Sequence, residues 1–160
     1  MILIYIDSSA LVKMFVDEPG SLEIKRFATE HFSGEAVCVV TAVITKAEVM
    51  AALAAMRRGK HLTQQKFEKA VADFRMQWKS FYIPPVSASL IDEAGELGLN
   101  YKLKGCDAFQ LASALDVKTD LLISTDNDLN AAASETGLSY WNSMTQPIPS
   151  IFDATEECLE

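Results

Sequence analysis

Met1-Ile2-Leu3-Ile4-Tyr5-Ile6-Asp7-Ser8-Ser9 opens the chain. Its apolar run, rich in β-branched side chains, reads as a short strand buried on both faces, as in a parallel sheet. Asp7 closes that strand, two hydroxyls follow, and Ala10-Leu11-Val12-Lys13-Met14-Phe15 can begin a helix. In open α/β sheets, ligands sit outside the carboxyl ends of the strands. An acid there, on the first and central strand, is a site candidate. It can equally be the cap of the helix behind it. The choice depends on acids later in the chain.

Size and composition narrow the field. A chain of 160 residues, 49% apolar and 22% charged, suits one globular domain with a substantial core. It has no run of about 18 apolar residues to span a membrane. The N-terminal run is too short for a signal peptide and lacks a basic leader. Cys38, Cys106 and Cys158 are odd in number and widely spaced, so neither a disulfide framework nor a zinc pattern fits. His31 and His61 are too few for a histidine-rich metal site. A net charge of −8 argues against holding nucleic acid on a broad basic surface. It is compatible with a nucleic-acid enzyme whose positive charge arrives as bound metal, and with a protein that carries a basic partner.

Outward from the first strand, helices and strands alternate. Asp17-Glu18-Pro19-Gly20 is a turn, and Ser21 is placed to cap a helix over 22–32. Val37–Thr41 reads as a second buried strand. A long Ala- and Met-rich helix follows over 44–58 and stops at Gly59. In the next helix Phe67, Val71, Phe74 and Trp78 form one apolar stripe, with Thr63 as N-cap and Leu62 and Phe67 placed as a hydrophobic staple. This helical hairpin also offers a surface for self-association. Phe81-Tyr82-Ile83 reads as a third strand closed by Pro84-Pro85, and Ser87 caps a helix that Gly98 should stop. A helix over 107–117, a strand Leu121–Ser124, a helix over 127–135 and a marginal strand Leu138–Trp141 complete the pattern. The alternation predicts a parallel sheet covered on both faces. GxGxxG and GxxxxGK[ST] are both absent, which disfavours a dinucleotide enzyme and a P-loop NTPase.

Three later acids join Asp7. Glu48 lies inside the long helix, with Ile44, Ala51, Ala52 and Ala55 on its side. Small neighbours would let that helix approach the sheet closely; alternatively, Glu48 looks outward and only favours helix. Asp107 opens a mostly apolar helix, where capping alone would explain it. Asp126 follows its strand as Asp7 follows the first, and Asp128 comes two residues later. Spacing does not by itself bring these acids together. If they meet, two unit charges about 4 Å apart repel by about 4 kcal/mol at an effective dielectric of 20, so they need compensation. An all-oxygen set suits a hard divalent ion, Mg²⁺ or Mn²⁺, rather than zinc. Such an ion can turn a bound water into a nucleophile against a phosphate, which is phosphodiester hydrolysis.

The chain resembles the PIN-domain family, specifically its VapC-type toxin ribonucleases. The resemblance runs from Ile4 to about Asn142. It rests on Tyr5-Ile6-Asp7-Ser8-Ser9-Ala10-Leu11-Val12-Lys13 and Thr45-Lys46-Ala47-Glu48-Val49, completed by Leu103-Lys104-Gly105-Cys106-Asp107-Ala108 and Ser124-Thr125-Asp126-Asn127-Asp128-Leu129. Each motif is weak alone; four in order are specific. The resemblance implies a PIN-like three-layer α/β/α fold with a central parallel sheet of four to five strands flanked by helices. The domain would span 1–143, and 144–160 would be an acidic tail. It further implies a cytoplasmic endoribonuclease dependent on Mg²⁺ or Mn²⁺, with Asp7, Glu48, Asp107 and Asp126 as catalytic and metal-binding acids. Asp128 would lie in the outer part of the site, and a Ser8 or Ser124 hydroxyl would support ligands or phosphate. The expected partners are an RNA substrate, a small VapB-type antitoxin presenting an arginine to the acids, and a second copy of the chain, with no membrane. Cys106 departs from the common pattern but serves there as a small apolar residue. The acidic tail is not a family hallmark.

Other classes fit less well. Arg57, Arg58, Lys60, Lys66, Lys69, Lys102 and Lys104 are candidates for phosphate contacts, though a solvated charged face explains them as well. A non-catalytic PIN-like scaffold acting through protein contacts would have no need of all four acids. An aspartyl phosphotransferase commonly has a second acid two residues after its nucleophile, where this chain has Ser9. A receiver-like phospho-acceptor does not account for Glu48 and Asp107 on helices.

Overall fold

The first strand is paired on both edges. In the computed structural model, which describes residues 1–151, β1 (Ile2–Ile6) runs parallel to β2 (Val37–Val40) and, on its other side, to β3 (Leu121–Ile123). Strand β4 (Tyr140–Trp141) pairs parallel with β3, giving the order β2-β1-β3-β4. The described helices are α1 (Ser8–Leu11), α2 (Ser21–His31), α3 (Thr45–Arg58), α4 (Gln64–Gln77), α5 (Ala88–Tyr101), α6 (Gly105–Asp116) and α7 (Asn127–Glu135). Successive residues of β1 face opposite ways, as the pleat requires. Ile4 and Ile6 enter a core with Phe27, Val49, Leu53 and Phe74, while Tyr5 enters a second core with Leu90, Phe109, Leu111 and Leu129. Two cores on one sheet make three layers, helix on sheet on helix.

The expected third strand is not a strand. Tyr82 makes a single isolated parallel bridge to Val40, so the sheet has four strands among the described residues. Pro84 and Pro85 follow at once and have no N–H to continue a ladder. Helix limits also move. Gly20, with φ at +85°, introduces α2, and the Ser21 hydroxyl instead accepts from the Glu18 N–H at 3.1 Å. Helix α5 runs through Gly98 and ends at Tyr101, capped by Lys102 in the left-handed conformation with φ of 56°. Helix α6 starts two residues before Asp107, at Gly105.

Thr63 caps α4 as its position predicts, its hydroxyl accepting from the Lys66 N–H at 3.2 Å. The stripe behind it faces the first core, where Phe74 is buried against Phe15 and Trp78. Thr63→Ala should remove one cap bond, at a cost of about 1 kcal/mol. We expect the melting temperature to fall by about 2–4 °C in calorimetry.

After β4 the Trp141 Nε1–H donates to the Gln146 carbonyl at 3.4 Å, and Ile148 and Ile151 pack against the first core. Residues 152–160, the rest of the expected acidic tail, lie outside the described residues. No helix among the described residues is long and apolar enough to cross a membrane.

Candidate active site

Strands β1 and β3 are parallel neighbours, so the chain leaves both at the same edge of the sheet. The connection from β1 leads to β2 on its other side, which makes the crevice between β1 and β3 a topological switch point. Asp7 and Asp126 stand at this edge. The Asp7 N–H donates to the Ile123 carbonyl at 3.1 Å, which ties the end of β1 to β3. Each aspartate caps the helix behind it: Asp7 Oδ1 accepts from Ala10 N–H at 3.2 Å, and Asp126 Oδ1 from Leu129 N–H at 2.8 Å. Capping and site placement are therefore the same geometry, because an N-cap carboxylate sits where strand becomes helix.

Ser9, rather than Ser8, joins the two turns. Its hydroxyl donates to Asp7, with oxygens at 2.8 and 3.1 Å, and accepts from the Thr125 N–H at 2.9 Å. It lies 3.5 Å from Ser124 Oγ, which accepts from the Asp126 N–H at 3.1 Å. Ser8 stands outside this network. With Asp7 as the cap, Ser9 falls on the side of α1 that folds back over the carboxylate.

The other two acids lie on helices of different layers, Glu48 on α3 of the first core and Asp107 on α6 of the second. Glu48 is half-buried in the first turn of α3, but not for the expected reason: Thr45, Val49 and Leu53 are the buried residues, whereas Ala51 and Ala55 are exposed. Its carboxylate accepts from Gln110 Nε2 of α6 at 2.6 Å. Asp107 is half-buried within the first turn of α6, where the N-cap is Lys104 and no side chain makes a cap bond. Because α6 begins early, the Asp107 carboxylate is not spent on capping. Asp128 is exposed in the first turn of α7.

These acids act on one another. Asp7 is only 2% exposed, and burial pushes its carboxyl up to about 7. The Ser9 hydroxyl, the Ala10 N–H and the Ser124 hydroxyl oppose that rise, and Asp126 adds to it. Asp107 is raised chiefly by partial burial, then by Asp126 and Glu48, with Lys104 opposing and Asp128 adding. Burial also holds the Tyr5 phenol far above its ordinary range, with Asp7 and Glu48 among the contributors. None of the four described ion pairs includes any of these acids. Nor, among the described residues, are any three acids, histidines or cysteines grouped tightly enough to hold a metal ion as they stand. The carboxylates share a field, not a contact. Their all-oxygen chemistry and unpaired negative charge fit a hard divalent cation. A groove of about 570 Å³ lined by Met14, Lys25, Phe32 and Met76 lies away from them, between α2 and α4.

The PIN-domain pattern matches residues 4–135. The chain belongs to the PIN-domain family. This PIN domain is 34% identical over 117 residues to ribonuclease VapC45 of Mycobacterium tuberculosis (strain CDC 1551), covering 73% of this chain and 78% of that protein. It is 32% identical over 142 residues to ribonuclease VapC46 of Mycobacterium tuberculosis (strain H37Rv), covering 87% of this chain and 96% of that protein. Its fold is similar to that of a chain in a toxin–antitoxin complex from Klebsiella pneumoniae, with a TM-score of 0.58, 24% identity, and coverage of 82% and 91%. The three-layer architecture expected from the sequence is the one this PIN domain has.

Ser9 and Gln110, which bond the acids, and Tyr5 and Thr45, which bond Gln110, do not stand out in the sequence. One signal was available: Gln110 and Ser113 are polar interruptions, three apart, in the apolar stretch Ala108–Leu115. Both are buried.

Proposed function

We infer that this PIN domain is a metal-dependent endoribonuclease that hydrolyses RNA phosphodiester bonds, the toxin of a VapBC-type pair. The observation that carries the reading is the buried, unpaired Asp7 carboxyl beside Asp126 at the switch point of the sheet. Likeness to two proteins named ribonuclease VapC supports the same chemistry.

Asp7, Glu48, Asp107 and Asp126 would hold Mg²⁺ or Mn²⁺. When bound, such a cation stabilises charge on an attacked phosphate and makes a water acidic enough to serve as nucleophile. The protein's share is to fix the carboxylates: Ser9 and the Ala10 N–H orient Asp7, the Leu129 N–H orients Asp126, and Gln110 orients Glu48. Asp128, which is exposed, would serve at the rim of the site and the buried Ser124 at its floor. Lys104, whose charge acts on Asp107, would meet the RNA backbone as it enters.

We further propose a small VapB-type antitoxin as partner, a homodimer as the working assembly and the cytoplasm as its place. An arginine from the antitoxin would find carboxylates with no cationic partner and form bidentate, charge-assisted bonds. A net charge of −8 suits that partner better than tight RNA binding by the protein alone.

One observation favours the rival reading of a non-catalytic scaffold: no three acids share a contact among the described residues. Cleavage decides between them. Partner-free protein incubated with total RNA should cut it when Mg²⁺ or Mn²⁺ is present and stop when EDTA is added. Asp126→Asn should keep the helix cap, since Asn caps as well as Asp, yet lose cleavage by at least about a hundredfold, about 2.7 kcal/mol in the barrier. RNA left intact at saturating metal, across tRNA, rRNA and mRNA, would favour the scaffold.

A further inference from the structure

Behind the acids lies a second, buried layer of polar side chains. Tyr5, Thr45 and Gln110 are respectively 0%, 0% and 1% exposed. The Tyr5 hydroxyl donates to Gln110 Oε1 at 2.7 Å, and Gln110 Nε2 donates to both Thr45 Oγ1 at 2.9 Å and Glu48 Oε2 at 2.6 Å. Thr45 Oγ1 lies 2.9 Å from Thr41 Oγ1, which donates to the Ile6 carbonyl at 2.6 Å. The chain of bonds thus begins at the backbone unit preceding Asp7 and ends on the Glu48 carboxylate.

Its register with the acids is regular. Tyr5 on β1 lies two residues before Asp7, whose backbone is still extended, Thr45 and Glu48 are three apart on α3, and Asp107 and Gln110 three apart on α6. Those offsets put each polar residue on the same side of its element as an acid. Three elements that each deliver one carboxylate are therefore joined one step behind it.

The amide orientation is forced. Turned over, Gln110 would set its oxygen against the Glu48 carboxylate, acceptor against acceptor. A buried polar group with both ends satisfied rigidifies its surroundings, whereas an apolar residue of the same size would fill the space without directing anything. Packing alone does not call for glutamine here.

We propose that Gln110 is a positioning residue: its amide, held by Tyr5 and Thr45, fixes the Glu48 carboxylate relative to Asp7 and so sets the affinity of the acidic site for a divalent cation. This rests on the metal-dependent reading above. Outer partners of this kind typically contribute about 10–100-fold to metal affinity or activity.

The test is Mn²⁺ binding to the full, partner-free chain without RNA, followed by electron paramagnetic resonance of free Mn²⁺. Gln110→Met keeps the volume but cannot donate, and should weaken Mn²⁺ binding by about tenfold. In a Glu48→Gln background the same change should cause no further loss, because the amide then has no carboxylate to hold. In cleavage assays Gln110→Met should lower kcat with KM for RNA unchanged. Should Gln110→Met fail to fold by circular dichroism, Tyr5→Phe and Thr45→Val carry the test, each expected to weaken binding by about threefold as part of the same network. Undiminished Mn²⁺ affinity in all folded variants overturns the proposal while leaving the nuclease reading intact. So does an equal loss with and without the Glu48 carboxylate, which would mark a purely structural role. A parent protein that neither binds Mn²⁺ nor cuts RNA overturns both.

Discussion

Asp7→Asn is expected to abolish RNA cleavage and, in the same protein, to raise the melting temperature of the metal-free chain. The two effects have one cause. Asp7 is buried beside Asp126 without a cationic partner, and its carboxyl is held up at about 7 from an ordinary 3.8. At pH 8 the folded chain must carry that group ionised, and the rise corresponds to a penalty of about 4 kcal/mol. Asparagine keeps the shape and the cap bond to the Ala10 N–H, and Ser9 can still donate to its amide oxygen. It removes the charge and exchanges one oxygen for an NH₂ group of nearly the same size. Relief of several degrees, up to about 10 °C, is therefore expected in calorimetry at pH 8. Removing the most buried of the proposed ligands should meanwhile reduce cleavage of labelled RNA by about a thousandfold, about 4 kcal/mol in the barrier. An active site that is costly to fold and gains when disarmed is the usual stability–activity conflict. A variant that melts below its parent at pH 8, or one that still cuts RNA at the parent's rate, would refute the assignment of Asp7.

The strands were legible because burial on both faces leaves a continuous apolar run, and that is how β1, β2 and β3 announce themselves. Asp7 and Asp126 were legible for a related reason: an acid at the end of such a run, directly in Asp7 and after two hydroxyl residues in Asp126, has to stand at the sheet's edge. What failed was local geometry set by neighbours distant in sequence. Phe81-Tyr82-Ile83 has strand composition, yet only Tyr82 reaches a partner before the prolines intervene. The sequence puts the start of α6 at Asp107, where a cap and a site acid look alike; the helix begins at Gly105, and Asp107 makes no cap bond. Ser8 and Ser9 are indistinguishable as letters, and only the turn of α1 about its Asp7 cap decides which hydroxyl faces the acid. Glu48 was traced to a face of small residues, but Ala51 and Ala55 are exposed and a single amide from α6 holds its carboxylate. That contact joins residues 62 apart, and no periodicity within one helix reveals it.

The metal-free chain should lose stability as pH rises from 5 to 8. For a carboxyl whose folded value lies above its unfolded one, the native state binds the proton more tightly than the unfolded chain does. Stability from that group is then present at low pH and lost as pH rises from about 4 to about 7, levelling off above. Asp107 is raised as well and acts in the same direction. Asp17, held low by Lys25, works the opposite way, but only below the ordinary carboxylate range and so outside this window. A divalent cation should reverse the trend. It binds the ionised carboxylates, so each step up in pH removes a competing proton and increases the stabilisation, which grows as RT ln(1 + [L]/Kd). Calorimetry at pH 5, 6, 7 and 8, with and without 5 mM Mg²⁺ as an order-of-magnitude excess over free protein sites, should show melting curves that diverge on the alkaline side. Subtracting the same series for Asp7→Asn isolates this one carboxyl from every other group that titrates there. A cation effect as large at pH 5 as at pH 8, or a difference between parent and variant that does not change with pH, would mean that the Asp7 proton and the metal do not compete for the same site.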